Sequence, residues 1–231
     1  MVFILLSLFF IYRDGFGDSR LKHHLIVEPA QPERYPIPPH ETITLPRGRG
    51  VNIPLIQHKF GKETAEAKAL RRRRLNEVRE TFLHAWEGYK KEAWAQDELR
   101  PVSGGYKTPF CGWAATLVDS LDTLLIMGLH KEFALALTEV EKLDFTHTEG
   151  CQINLFETTI RHLGGLLAAH DLSGGKYPIL IEKAVELAEV LFTAFDTPNR
   201  MPSPHYVWSW SVFSISCNGF VPADIILGTV Q

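Results

Sequence analysis

The sequence is poor in the features that mark metal-binding, nucleic-acid-binding and β-rich proteins. Its three cysteines, Cys111, Cys151 and Cys217, show neither CxxC spacing nor a nearby pair of histidines, which excludes a zinc site of the usual pattern. An odd number leaves at least one thiol unpaired, and cysteine usage alone does not fix the redox compartment. Charge of either sign is not in excess: the formal net charge is −3 over 231 residues, so there is no concentrated basic face for a phosphate backbone. No nucleic-acid partner is expected. Strands of alternating polarity are also missing between Lys62 and Phe195. What remains, 45% hydrophobic and 22% charged residues, is an ordinary globular composition with enough apolar material for one sizeable core.

The N-terminus departs from this average. Met1 to Tyr12 is an almost unbroken apolar run ending at Arg13 and Asp14. As a helix it would measure roughly 18 Å, short of the ~30 Å hydrocarbon core. It lacks a basic n-region and an A-x-A cleavage site, so residues 1–20 read as a signal segment, as the luminal half of a signal anchor, or as a buried element at a domain edge. Either of the first two sends the chain into the secretory pathway, the anchor with membrane attachment. Seven of the fourteen prolines then fall in residues 21–60, and a segment so short of backbone donors is expected to be an extended stem.

From Lys62 to Trp94 the pattern turns helical, with Leu75, Val78, Phe82, Trp86 and Tyr89 on one face. The run Arg71 to Arg74 on this helix is flanked by Glu66, Glu77 and Glu80, which makes it a solvated face rather than a nuclear-localisation signal. A Pro- and Gly-containing loop, Asp97 to Gly112, precedes further predicted helices over 113–127, 131–142, 154–170 and 177–195. Asn154 followed by Glu157 has capping-box spacing. The predicted fold class is all-α, built of sequential helical hairpins over residues 61–210. Residues 211–231 break the pattern, being β-prone and ending on an apolar stretch, and are read as a divergent, truncated tail.

Two of these helices carry carboxylates where periodicity predicts core. Asp119 and Asp122 stand at i and i+3 in VDSLDTL; Glu157 and Arg161 stand at i and i+4 in FETTIRHLGG. A buried carboxylate needs a partner. The plain explanations are a helix-stabilising Glu–Arg pair and a capping glutamate. Gly164 and Gly165 argue for more, because each helical glycine costs about 1 kcal/mol relative to alanine, which points to a close approach to the backbone.

The stretches WAATLVDSLDTLLIMGL, INLFETTIRHLGGLLAAHDLSG and KAVELAEVLFTAFDTPNRMP resemble, in order and spacing, the N-terminal half of the class I α-1,2-mannosidases of glycoside hydrolase family 47. HAWEGYKKEAWAQDELRPVSGG looks like the first barrel helix and loop of the same family, and the apolar start and stem look like those of its fungal members. The resemblance implies an (α/α)7 barrel, a bound Ca²⁺, and hydrolysis with inversion of α-1,2-linked mannose from high-mannose N-glycans in the endoplasmic reticulum or Golgi. It implies Glu157 as the general acid, and Arg161, Asp122 and Asp119 as sugar-binding or supporting residues. The calcium ligands and the remaining catalytic carboxylates of the family lie in a half with no counterpart in this sequence. The expectation is therefore of an incomplete copy that binds no calcium tightly. Cys111 stands where the family more often has a small residue, and none of the three cysteines matches the family disulfide. Two other readings remain open: a glycan-recognition factor in the disposal of misfolded glycoproteins, and a non-functional product of a mispredicted gene.

Overall fold

The computed structural model describes residues 33–43, 54, 56–148 and 151–207. The apolar start, most of the Pro-rich segment and the tail with Cys217 lie outside the described residues. What is described is mostly helical, as expected. No helix among the described residues is long and apolar enough to cross a membrane.

Helix α1 (Ala65–Ala93) opens where the Thr64 hydroxyl accepts from the Ala67 amide at 3.2 Å, an N-cap that satisfies one of the unpaired first-turn donors. Only its last turns are packed. Trp86, Tyr89 and Ala93 are buried, whereas Leu75 and Val78, expected on the buried face, are 55% and 56% exposed. The Arg71–Arg74 run is exposed too, with Arg71 paired to Glu63 and Arg73 to Glu77. Trp86 Nε1 donates to Glu132, which also pairs with Lys90, and this joins the end of α1 to α4 (His130–Val140).

Between them the chain forms a small hairpin, β1 (Glu98–Leu99) against β2 (Tyr106–Lys107), a pairing too short to leave an alternating signature in the sequence. The predicted helix over 113–127 is in fact two. Ala114 has φ +54°, so α2 (Ala115–Asp119) starts only after it, and a break at Ser120 separates α2 from α3 (Leu121–Ile126). The Ser120 hydroxyl donates back to the Thr116 carbonyl at 2.6 Å, a local bond that competes with regular helix.

The predicted helix over 154–170 is one rod with an irregular middle. It runs as α5 (Leu155–Thr158), a π turn (Thr159–Leu163) and α6 (Gly164–Leu172). Helix α6 packs against α2, α3 and α7 (Pro178–Phe192), at the centre of the molecule. Leu117, Val118, Leu121, Leu124, Leu166 and Leu187 are fully buried there, each contributing on the order of 2 kcal/mol by removal from water. Strand β3 (Gln152–Asn154) pairs antiparallel with β4 (His205–Val207), Ile153 opposite Tyr206. At the edge of the helical body, Asp196 accepts from the amides of Arg34 and Tyr35, and Arg200 donates to the carbonyls of Tyr35 and Pro36.

A disulfide joins Cys111 to Cys151, forty residues apart with Cα atoms 5.5 Å from one another. Sequence spacing had assigned neither cysteine. Closing a loop of this length removes on the order of 4 kcal/mol of entropy from the unfolded chain.

Candidate active site

Asn154, at the end of β3, accepts from the Glu157 amide at 3.0 Å, so the cap predicted from sequence forms and fixes the first turn of α5. The reciprocal half of the box does not; the Glu157 carboxylate turns along the helix instead and takes Arg161 Nε at 2.7 Å. Arg161 lies in the middle of the π turn, an irregularity that re-aims side chains and recurs at functional sites. Its Nη1 reaches Asp119 at 3.3 Å, across to the last residue of α2. One guanidinium thus bridges two carboxylates from two chain segments, and its carbon sits 5.4 Å from the centre of the Phe110 ring.

The close approach that the two glycines forecast is real, and its partner is another helix. A Cβ on Gly165 would stand 2.6 Å from the Val118 carbonyl oxygen and 3.4 Å from the Asp119 Cα, so only glycine lets α2 lie this close. Gly164 has no such neighbour; its nearest contact would be 3.6 Å. Gly165 therefore sets the distance at which Asp119 meets the Glu157–Arg161 pair.

Asp122 is only partly in this arrangement. It stands in the first turn of α3 and accepts from the amide and hydroxyl of Thr123, rather than from Arg161. Its charge still reaches Asp119. Partial burial pushes the Asp119 carboxyl above its ordinary range and the charges of Asp122 and Glu157 add to this; Arg161 opposes without cancelling it, in keeping with the long 3.3 Å contact. Arg161 is itself held more firmly protonated by Glu157 first and Asp119 second. The face around Glu157 is consequently charged rather than apolar, contrary to the periodicity argument. The side chains of Glu157, Arg161 and Asp119 are 29%, 38% and 44% accessible, open enough to meet a polar ligand.

Two features of this site were missed in the sequence. Asp97, assigned only to a loop, is fully buried and accepts from the amides of Phe110 (2.7 Å), Gly112 (3.0 Å) and Ala115 (3.2 Å), while its carbonyl takes the amide and hydroxyl of Thr116. Burial pushes its carboxyl up and the three amides pull it back. An aspartate ahead of a Pro- and Gly-rich loop is the available signal, since Asp habitually gathers loop amides. The second is His162, buried among the rings of Phe110, Trp113 and Phe145, with both ring nitrogens unpaired among the described residues. Burial holds it neutral, with a pKa depressed to about 4.

No group of three or more His, Cys, Asp or Glu residues that could hold a metal ion occurs among the described residues. Among the described residues, then, no carboxylate-rich donor set is assembled for the calcium that the family resemblance implies. An open cavity of about 570 Å³ lies elsewhere, lined by Glu98, Arg100, Ser103 and Lys107 among others, and includes none of the four carboxylate-site residues.

A half-buried rod carrying Glu157 and Arg161, apposed through a helical glycine to a second helix carrying Asp119, is a site able to hydrogen-bond a polyol and to exchange a proton with it. The family model for glycosyl hydrolase family 47 matches residues 81–216, and the chain belongs to that family. It is 40% identical over 207 residues to the endoplasmic reticulum mannosyl-oligosaccharide 1,2-alpha-mannosidase of Mus musculus, covering 83% of this chain and 30% of the mouse protein. It is 39% identical over 156 residues to the mannosyl-oligosaccharide alpha-1,2-mannosidase 1B of Aspergillus oryzae, covering 63% and 30%. Among solved structures, an alpha-1,2-mannosidase from Trichoderma reesei superposes with a TM-score of 0.55 at 33% identity, over 58% of this chain and 30% of that one. The chain spans about 30% of the length of these relatives.

Proposed function

We propose that this chain is part of an α-1,2-mannosidase that trims high-mannose N-glycans in the secretory pathway, its helices forming the first section of an (α/α)7 barrel. The observation that carries the reading is the bridge from Arg161 to Glu157 and Asp119. In inverting glycoside hydrolysis one carboxylic acid protonates the leaving oxygen and a second carboxylate activates water from the opposite face of the sugar. Glu157 takes the acid role. That role needs a proton on Glu157, so Arg161 must yield part of its 2.7 Å contact as the sugar enters, with Asp119 as its second partner. Asp119, paired to Arg161, and Asp122, whose charge reaches Asp119, are assigned to the sugar hydroxyls. The water-activating base and the calcium site receive no residue of this chain. Residence in the endoplasmic reticulum or Golgi, and membrane attachment through residues 1–20, belong to the same proposal.

The test is a chimera in which residues 81–216 replace the matching segment of the Trichoderma reesei enzyme, incubated with a high-mannose glycan. Mannose release is expected from the chimera, with a drop of at least about 100-fold in Glu157→Gln, the scale of one lost acid. The 231-residue chain alone is expected to release none. A chimera whose activity survives Glu157→Gln would remove Glu157 from the acid role.

A further inference from the structure

We propose that the Cys111–Cys151 disulfide makes the carboxylate site redox-gated, by holding Phe110 as the platform on which Arg161 lies. The proposal rests on the reading of Glu157, Arg161 and Asp119 as the site. Each sulfur belongs to a segment that positions one member of the ion pair. Cys111 directly follows Phe110, whose ring faces the Arg161 guanidinium at 5.4 Å. Cys151 precedes β3, whose last residue, Asn154, caps the helix that carries Glu157. The bridge is the covalent tie between these two segments.

Phe110 has non-covalent restraints as well: its ring stands 6.2 Å from that of His162, and Trp113 Nε1 of the same loop donates to the His147 carbonyl at 3.1 Å. Asp97 gathers the amides of Phe110, Gly112 and Ala115, which folds the loop upon itself and onto the end of α1, but it makes no bond to β3. Backbone conformation at the bridge is also unusual for a side-chain-bearing residue: Cys111 has φ +61°, in the region that favours glycine. The amides on either side of it, of Phe110 and Gly112, both donate to Asp97 and hold this turn, so the bridge adds a second, covalent tie at a residue already in a costly conformation. Cys111 and Cys151 are both only half-buried, so a reductant can reach them.

Reduction by a dithiol breaks the S–S bond, leaves two cysteine thiols and converts the dithiol to its own disulfide. In the reduced chain the Phe110 loop loses its covalent tie to the segment that leads into β3, and the ring withdraws from Arg161. Phe110 is thereby a positioning residue acting through Arg161.

The experiment follows the side-chain resonances of Arg161 by NMR in the full 231-residue chain, assigned with Arg161→Lys. In the oxidised chain the Phe110 ring current displaces them upfield. Reduction with dithiothreitol, confirmed by a mass gain of two hydrogens, is expected to abolish that displacement while most backbone amide resonances stay in place. Phe110→Leu is expected to abolish it with the bridge intact, and Phe110→Tyr to preserve it. An unchanged Arg161 signal on reduction, or in Phe110→Leu, overturns the proposal; so does collapse of the whole amide spectrum on reduction, since a gate must open locally. None of these readouts needs mannose release, so the gate can fail while the hydrolytic reading stands. An inactive chimera would leave the NMR result as it is.

Discussion

Two segments of the chain carry the carboxylates, and they solve the same problem in opposite ways. Residues 155–172 stay one continuous rod, absorbing an irregular turn at 159–163; residues 115–126 break at Ser120 into two short helices. The continuous rod keeps Glu157 and Arg161 one turn apart and paired. The break leaves Asp119 at the end of one helix, facing Arg161, and turns Asp122 toward its own first turn. Spacing in sequence makes the two acidic residues equivalent; a single local hydroxyl bond makes them different.

The comparison is broken most severely at the point where the two segments touch. Gly165→Ala places a methyl group 2.6 Å from the Val118 carbonyl, a backbone atom that cannot rotate away. Overpacking of this kind costs about 3 kcal/mol. The variant should lower the midpoint of urea unfolding accordingly, while Gly164→Ala, with 3.6 Å of room, should be neutral or stabilising by up to about 1 kcal/mol. Equal effects from the two alanines would remove Gly165 as the spacer between the helices.

A second perturbation acts on the π turn alone. His162 is neutral in the fold with its pKa depressed to about 4, chiefly by burial, whereas in the unfolded chain it titrates near the ordinary value of about 6.5. The stability gained by keeping it neutral is complete above pH 6.5 and is lost as pH falls toward 4. At pH 5 the loss is about 2 kcal/mol. Urea unfolding at pH 7.5 and pH 5 should show this difference, and His162→Leu should flatten it. A slope that survives in His162→Leu belongs to other groups.

Much of the fold was legible because helical periodicity survives local irregularity. The helices over 131–142 and 177–195 are found almost where the apolar spacing puts them, as His130–Val140 and Pro178–Phe192. The break at Ser120 was not legible, since Trp113 to Met127 has unbroken apolar register, and what ends α2 is a hydroxyl bond of the kind that often leaves a helix intact. Leu75 and Val78 have the right spacing and remain exposed, because periodicity tells which residues share a face and not whether anything covers it. The Glu157–Arg161 pairing and a close approach at the Gly164–Gly165 pair followed from spacing and from the cost of glycine in a helix. The Cys111–Cys151 pairing did not, because three cysteines allow three pairings and a separation of forty residues carries no distance information. Asp97 was hidden by its position in a loop that reads as solvated.

The smallest effect tests whether the rod's first turn holds Glu157 independently of the second segment. Asn154 accepts one amide bond from Glu157, and its own amide nitrogen lies 3.2 Å from the His205 ring at the β3–β4 edge. Replacing an N-cap by alanine costs about 1 kcal/mol. Asn154→Ala should therefore lower stability by that amount, and Asn154→Asp, which keeps an acceptor and sets a negative charge at the helix N-terminus, should recover most of it. The Arg161–Asp119 contact does not pass through this cap, so Asp119 should keep its raised pKa in Asn154→Ala, read from its side-chain carboxyl carbon by NMR titration. An Asp119 titration that moves with the cap would mean that the two segments are coupled through Glu157 rather than through the Gly165 contact. The continuous rod and the broken pair would then be one structural unit rather than two.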